Sequence, residues 1–398
     1  MPDESSTSQP EHQTTDRVAP APELDLRFDG SPSASSLRRT APVLHIEEDE
    51  PSTHTLTVLI PARNEAHNLP GCLDSLVRQS EPGFVLGEQW HILVIDDNSS
   101  DETSQIIATF ADKCNGIMAL SAPSLKSATR GLTGKNAALW FGASQPLAHT
   151  AKWLLFTDAD TLHEPGSTSR AIVEAERHEL AMLSYSPRQL VANFAQRALM
   201  PLIFSELAST YPPKKVSDPS NPIAAANGQF LLVRRQAYFD VGGHMAVGSS
   251  VLEDVALARL LKRRHPIRLR YAPEAVSARM YASTPEMIEG WTKNLALLFG
   301  NPLMMAAIAL LNFVLLLGLP LLPLLMPNLV VWQALAVFIV WLRVLLRYFS
   351  RVGQSHAPFL DRILTVMALP LFAALLFRSW QNVKIAKAVT WKGREYTT

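Results

Sequence analysis

Pro302 to Met326 is a run of 25 residues without a single charge, dominated by Leu, Met and Ala. As a helix at about 1.5 Å per residue it exceeds the roughly 30 Å hydrocarbon thickness of a bilayer. It therefore reads as a transmembrane helix despite its prolines, because a soluble fold seldom needs so long an uncharged run. A second apolar run, Leu329 to about Leu346, follows Pro327-Asn328. The joining turn is uncharged, whereas Arg343, Arg347, Arg351 and Arg362 surround the far end of the second run. The positive-inside bias puts that end, and the chain before residue 302, in the cytoplasm, with the protein a multi-pass component of the cell (inner) membrane. A third run, Ile363 to Phe377, has only 15 uncharged residues with Pro370 in its middle. If it crossed, Arg378, Lys384, Lys387, Lys392 and Arg394 would lie outside, so a re-entrant or interfacial segment and a cytoplasmic basic tail are expected.

The zero net charge of the 398 residues is a cancellation between the two ends. Residues 1–50 carry 4 Lys and Arg against 11 Asp and Glu, and residues 302–398 carry 9 against 2. The first fifty, rich in Ser, Pro, Asp and Glu, bury too little apolar surface to offset ordering entropy, which predicts a disordered acidic tail. They hold no basic stretch followed by an apolar one, so no secretory signal is expected. The neutral middle gives no reason to expect a nucleic-acid partner. Cys72 and Cys114 lack metal-ligand spacing, and free thiols in a reducing compartment are expected. The organisation expected is a tail over 1–50, a catalytic domain over 51–300, a membrane region over 301–378 and a basic tail over 379–398.

Between Thr55 and Cys114 the pattern is strand, helix, strand, helix. Leu56-Thr-Val-Leu-Ile60 and Ile92-Leu-Val-Ile95 are short β-branched apolar runs of the kind buried in parallel sheets, and Trp153-Leu-Leu-Phe156 is a third. Leu69, Leu73, Leu76 and Val77 recur at helical spacing. Ser99 and Glu102 have the spacing of a capping box before Ile106, Ile107 and Phe110. This alternation predicts an α/β fold, a mostly parallel sheet with helices on both faces, whose ligands bind at the carboxyl ends of the strands.

Each strand end is followed by a polar cluster. Pro61-Ala-Arg-Asn-Glu65 and Asp96-Asp-Asn-Ser-Ser-Asp-Glu-Thr103 offer carboxylates to a base edge and ribose hydroxyls, although an Asp/Ser loop is also an ordinary helix cap. In Gly134-Lys-Asn-Ala-Ala-Leu139, Lys135 either reaches a diphosphate or is a solvated lysine. Asp158 and Asp160, two apart after an extended run, project from the same side and suit Mg²⁺ or Mn²⁺, with room for diphosphate oxygens. Ala226-Asn-Gly-Gln-Phe230, with Gln229, and Gly242-Gly-His244 let an acceptor approach the backbone or are simply turns. Glu253 and Asp254 open a helix reading Val251 to Leu261, where acids also complement the helix dipole. A cation held by carboxylates neutralises a sugar-diphosphate leaving group and a separate carboxylate deprotonates an acceptor, and this order of motifs fits that chemistry. No G-x-G-x-x-G or Walker A pattern follows any strand, against NAD enzymes and P-loop ATPases.

In this order and spacing, Pro61–Glu65, Asp96–Ser99, Gly134–Leu139, Asp158-Ala-Asp160, Gly242-Gly243 and Glu253-Asp254 resemble a family 2 glycosyltransferase of the GT-A fold, over about residues 55–300. The resemblance implies an inverting transferase using a UDP- or GDP-sugar. It places Pro61, Ala62, Glu65 and Asp97 at the nucleoside, Lys135 and Asp158 at the nucleotide, Asp160 at the metal and Asp254 as general base. Many relatives have an aromatic residue where this chain has Arg63, so base stacking there falls to a guanidinium plane or is absent. Processive polysaccharide synthases usually carry Gln-x-x-Arg-Trp where this chain reads Met287-Ile-Glu-Gly-Trp-Thr-Lys-Asn294. In that stretch Lys293 offsets phosphate charge, and Trp291 stacks on sugar or lipid or anchors the membrane interface. The pattern looks more like single-sugar transferases of the carotenoid or polyprenol type. The terminal Trp391-Lys-Gly-Arg-Glu-Tyr396 resembles a motif of some lipid glycosyltransferases near the donor phosphates, or is a polybasic headgroup contact. Competing readings are a processive synthase, a metal-dependent nucleotidyl- or glycosylphosphotransferase, and a non-catalytic membrane scaffold.

Overall fold

The computed structural model describes residues 52–79, 81–124, 132–326, 328–391 and 394–397, so the acidic tail lies outside the described residues. The expected apolar runs become buried strands. β1 (His54–Ala62), β2 (Trp90–Asp96), β3 (Ile117–Ser121) and β4 (Ala151–Phe156) pair in parallel in the order β3-β2-β1-β4. β5 is Thr161–His163, β6 Met182–Ser186, β7 Arg188–Gln189, β8 Leu231–Arg234, β9 Ile267–Tyr271 and β10 Val276–Ala278. β8 runs antiparallel to β4 and β6, and β9 closes the seven-stranded sheet parallel to β6. A small second sheet has the order β5-β10-β7. The strand order reverses between β1 and its neighbours β2 and β4, so a crevice opens at their carboxyl ends, where α/β sheets bind ligands.

Sequence patterning did not anticipate β3, and its burial explains why. Only Ile117 of its five residues is buried and Met118 is exposed, so this edge strand lacks the apolar run that marks the central ones. The Ser99/Glu102 capping box does not form. The helix starts at Thr103, whose N–H donates to Asp101 Oδ1 at 3.0 Å, while Ser99 Oγ accepts from Asn64 N at 3.1 Å. Ser99 is spent on lacing the loop after β2 to the loop after β1.

The two sheet faces carry two apolar cores, built around Leu56, Val58, Ile92 and Leu155 on one side and Leu59, Leu93, Leu154 and Phe156 on the other. A third core crosses the boundary expected at residue 300. Leu199 and Ile203 of the Phe194–Thr210 helix and Met287, Trp291 and Leu295 of the Thr284–Leu298 helix pack with Phe372 and Leu376 of the Phe359–Gln381 helix. The Pro302–Gly318 and Val331–Val352 helices complete this bundle. Among the described residues two segments are long and apolar enough to cross a bilayer, Pro302–Leu325 and Phe359–Ala386; the Val331–Val352 helix, which holds the second expected span, is not one of them. The third apolar run, expected to break at Pro370, lies in one unbroken helix, since Leu369, Phe372 and Ala373 are buried on either side of the proline. Polar ties hold the arginine-rich end of the bundle to the catalytic side. Arg351 Nε donates to Glu206 Oε1 at 2.6 Å, Arg197 Nη2 meets the buried Asp361 at 2.7 Å, and Ser209 Oγ donates to Gln354 Oε1 at 3.1 Å. A hairpin of β11 (Ala388–Trp391) and β12 (Arg394–Thr397) ends the chain, and Lys392-Gly393 of the terminal motif lie outside the described residues.

Candidate active site

The loops after β1 and β2 form one rim of the crevice because they share hydrogen bonds. Glu65 N donates to Thr103 Oγ1 at 2.9 Å, Ala66 N to Asp101 Oδ2 at 3.2 Å, and Ser100 N to Asn64 Oδ1 at 2.9 Å. Asn64 and Asn98 adopt positive φ (52° and 56°), a conformation Asn tolerates and most side chains avoid. Arg63 Nη1 donates to the carbonyls of Asp97 at 2.8 Å and Asn98 at 3.1 Å, so its guanidinium is fixed on the rim.

Asp158 and Asp160 follow β4 at the adjacent strand end. Lys135, in the first turn of the Gly134–Ala143 helix, reaches Asp158 Oδ1 and Glu253 Oε1 at 2.7 Å each. Glu253 and Asp254 open the Glu253–Lys262 helix as expected. Asp254 Oδ2 accepts from Gly228 N at 2.9 Å and its Oδ1 from Val255 N at 2.7 Å. Beside Gly228, Gln229 Nε2 approaches Asp160 Oδ2 at 3.5 Å and Gln229 Oε1 accepts from Gln189 Nε2 at 3.1 Å. The Asn227-Gly-Gln229 turn thus touches both acidic motifs. It is held from behind by Thr157, whose hydroxyl donates to the Gln229 carbonyl at 2.7 Å.

Burial, then Asp158 and Glu65, push the Asp160 carboxyl up to about 7. Burial and then Glu253 push Asp254 up to about 7 as well. For Lys135 burial opposes the charge, but Asp158 and Glu253 outweigh it and hold the ammonium well above its usual range. These are the environments in which carboxylates serve as acids, bases or ligands rather than as solvated surface groups.

The opposite wall comes from the Thr284–Leu298 helix and the segment before it. Met280, Tyr281, Glu286, Gly290, Lys293 and Asn294 face a cavity of about 310 Å³ that the strand-end motifs line from the other side. Burial lowers Lys293 to about 8. The cavity gathers Pro61, Ala62, Glu65, Asp97, Lys135, Asp158, Asp160, Gln229, Glu253, Asp254 and Lys293. Trp291 is the exception. It is 2% exposed in the third core, with Nε1 donating to Met200 Sδ at 3.3 Å and the ring edge-on to Phe204 and Tyr281. It points into the core and is closed to a ligand, because it lies one position after Gly290 and two before Lys293, which face the cavity from the other side of the helix.

The cavity's charge bears on a metal. Seven carboxylates (Glu65, Asp97, Asp158, Asp160, Glu253, Asp254, Glu286) face three cations (Arg63, Lys135, Lys293), a formal balance of four negative charges. An anionic diphosphate entering here needs more positive charge than the chain supplies. Among the described residues no three acidic, His or Cys side chains converge on one point. Hard carboxylate oxygens at Asp158 and Asp160 fit Mg²⁺ or Mn²⁺ as the source of that charge.

Residues 57–241 match the family model Glycosyl transferase family 2. The 4,4'-diaponeurosporenoate glycosyltransferase of Staphylococcus aureus is 25% identical over 356 residues, 86% of this chain and 88% of that one. The enzyme of the same name from Staphylococcus haemolyticus is 28% identical over 254 residues, 62% of each chain. A solved mannosyltransferase from Pyrobaculum calidifontis, in complex with GDP-Man and Mn2+, is similar over 85% of this chain and 89% of its own at 14% identity and a TM-score of 0.49. The mostly parallel sheet with helices packed on it is the α/β fold that the sequence resemblance implied. Residues 57–241 carry a family 2 glycosyltransferase domain, and the chain as a whole is similar to these transferases.

Proposed function

We propose that this enzyme moves a sugar from a UDP- or GDP-sugar to a hydroxyl of a lipid or membrane-associated acceptor, with inversion at the anomeric carbon. The observation that supports it most is the concentration of acidic groups around Lys135, beside a separate carboxylate, Asp254, on its own helix. On this reading Pro61, Ala62, Glu65 and Asp97 border the nucleoside, and Lys135 and Asp158 the diphosphate. Asp160 holds Mg²⁺ or Mn²⁺, which when bound supplies charge neutralisation for the departing diphosphate. Asp254 takes the proton of the acceptor hydroxyl as that oxygen bonds to the anomeric carbon and the bond to the diphosphate breaks. Its two backbone donors, Gly228 N and Val255 N, fix the carboxylate, and its elevated pKa makes it a stronger base than a solvated aspartate. Lys293 and Gln229 border the acceptor and phosphate side.

The membrane side of the reading is supported by the candidate spans, and a shared face for the catalytic domain and the arginine-rich end of the bundle by the pairs Arg351–Glu206 and Arg197–Asp361. The name of the staphylococcal relatives favours a second acceptor class, a carotenoid-type carboxylate. Such an acceptor is ionised at pH 7 and needs no base. The test is nucleotide release in purified membranes from UDP-glucose, UDP-N-acetylglucosamine and GDP-mannose with Mn²⁺, with the glycosylated lipid extracted. Free UDP or GDP with a sugar-bearing lipid is expected. Phosphate retained in the product would replace this reading with glycosylphosphate transfer, and a polymer would replace it with processive synthesis.

A further inference from the structure

Asn136 follows Lys135 in the same helical turn but faces away from the cavity, and it is fully buried. Its Nδ2 lies 3.2 Å from the carbonyl oxygen of Val247, 2.9 Å from that of Gly248 and 3.1 Å from that of Ser250. The opposite amide orientation would place Oδ1 among three carbonyl oxygens, so the donor assignment follows from electrostatics. Thr133 N adds a bond to Gly248 O at 2.8 Å. The turn so held enters, three residues after Ser250, the helix in whose first turn Asp254 stands. The far end of that helix is tied down separately by Lys262 Nζ, which donates to the carbonyls of Lys215, Val216 and Ile223 at 3.1, 2.6 and 2.6 Å. Asn136 Oδ1 has no partner although buried. An unsatisfied buried acceptor is destabilising, so stability alone does not account for an asparagine here.

We propose that Asn136 is a positioning residue, which holds the Val247–Ser250 turn and thereby sets where Asp254 stands against Lys135 and the cavity. The proposal rests on the reading of Asp254 as the base. One helical turn then serves both halves of the reaction. Lys135 faces the donor-side acids, and Asn136 grips the backbone that delivers the base.

The test is a double-mutant cycle of Asn136→Ala and Asp254→Asn, read as nucleotide release in membranes from whichever of UDP-glucose, UDP-N-acetylglucosamine or GDP-mannose the parent enzyme turns over. Asn136→Ala is expected to lower kcat by about 10- to 100-fold, the effect of misplacing a reacting group by about 1 Å, with the donor KM within about threefold. In the Asp254→Asn background it is expected to change the residual rate by less than about twofold, because the group it positions no longer acts. A rise in donor KM at unchanged kcat, or effects that multiply in the double variant, would overturn the proposal. If Asn136→Ala does not accumulate, Asn136→Ser, which keeps one donor, is measured by the same criteria. Failure of both to accumulate assigns Asn136 to folding and also overturns it. Full activity of Asp254→Asn alone defeats the base assignment instead, whatever Asn136 does.

Discussion

Replacing Gly290 by alanine asks whether the Thr284–Leu298 helix sets the width of the cavity. A Cβ at Gly290 would stand 2.6 Å from both Cε1 and Oη of Tyr281 and 2.9 Å from its Cζ. Ordinary contact begins near 3.4 Å, so the ring has to retreat by about 0.8 Å, the gap between 3.4 and 2.6 Å. Tyr281 is 5% exposed and edge-on to Trp291, itself 2% exposed, so the core side does not yield. The open side is the cavity. Alanine gains about 1 kcal/mol over glycine in a helix interior, and overpacking costs about 1–3 kcal/mol, leaving a net loss of about 0–2 kcal/mol. Stability therefore changes little, while a ring displaced by nearly 1 Å into the acceptor side lowers kcat/KM for the acceptor by about 10- to 100-fold. The assay is thermal unfolding in detergent beside acceptor kinetics, with Tyr281→Leu added to Gly290→Ala to remove the obstruction and recover most of the rate. A raised Tm with unchanged acceptor kinetics would show that the ring is not pinned, and would refute the reasoning.

Asp254→Asn is expected to reduce transfer to a hydroxyl acceptor by about 10² to 10⁴ with donor binding within a fewfold, and near-normal turnover removes Asp254 from the mechanism. Chelation is expected to abolish activity and Mn²⁺ or Mg²⁺ to restore it, with Asp160→Ala not restored, and full activity in excess EDTA would move Asp160 to a structural role. Asp254 is neutral below about 7, so kcat/KM is expected to fall as pH drops through that value, and to fall again above about 8 as Lys293 loses its proton. A flat profile from about pH 5.5 to 8.5 contradicts this assignment. The C-terminus is expected in the cytoplasm, and a C-terminal alkaline phosphatase fusion active in intact cells would overturn that topology and leave three complete crossings.

The strand-end motifs were legible because each is local, a short apolar strand followed at once by its polar cluster, and the crossover geometry of a parallel sheet brings such ends together whatever lies between. What was not legible depends on contacts distant in sequence. Trp291 lies on the same helix as Lys293, and only Met200 and Phe204, on a helix about ninety residues earlier, show that its face is core. Asn136 stood inside a motif already singled out, but its three carbonyl partners lie more than 110 residues further on. The capping box failed for a similar reason, since Ser99 finds a backbone donor at Asn64 that no reading of residues 99–102 reveals. Pro370 misled because proline's local rule, that it interrupts a helix, yields when packing on both sides holds the helix together.

The shared third core bears on how the proposed acceptor and the catalytic groups meet. A long apolar acceptor gains about 0.8 kcal/mol for each methylene it keeps in the bilayer, so drawing it wholly into water is prohibitive, and the site has to lie within reach of the surface. The Thr284–Leu298 helix meets that requirement by construction. Glu286, Gly290 and Lys293 face the cavity, while Met287, Trp291 and Leu295, each one or two positions along, are buried against the helices that follow residue 301. Because these two stripes belong to one helix, a bundle inserted as proposed would also fix the height of the cavity wall above the bilayer. A transferase domain joined to its anchor by a flexible linker would have no such constraint. Here only the headward end of an acceptor, the part already at the interface, has to rise past this helix to come within reach of Asp254.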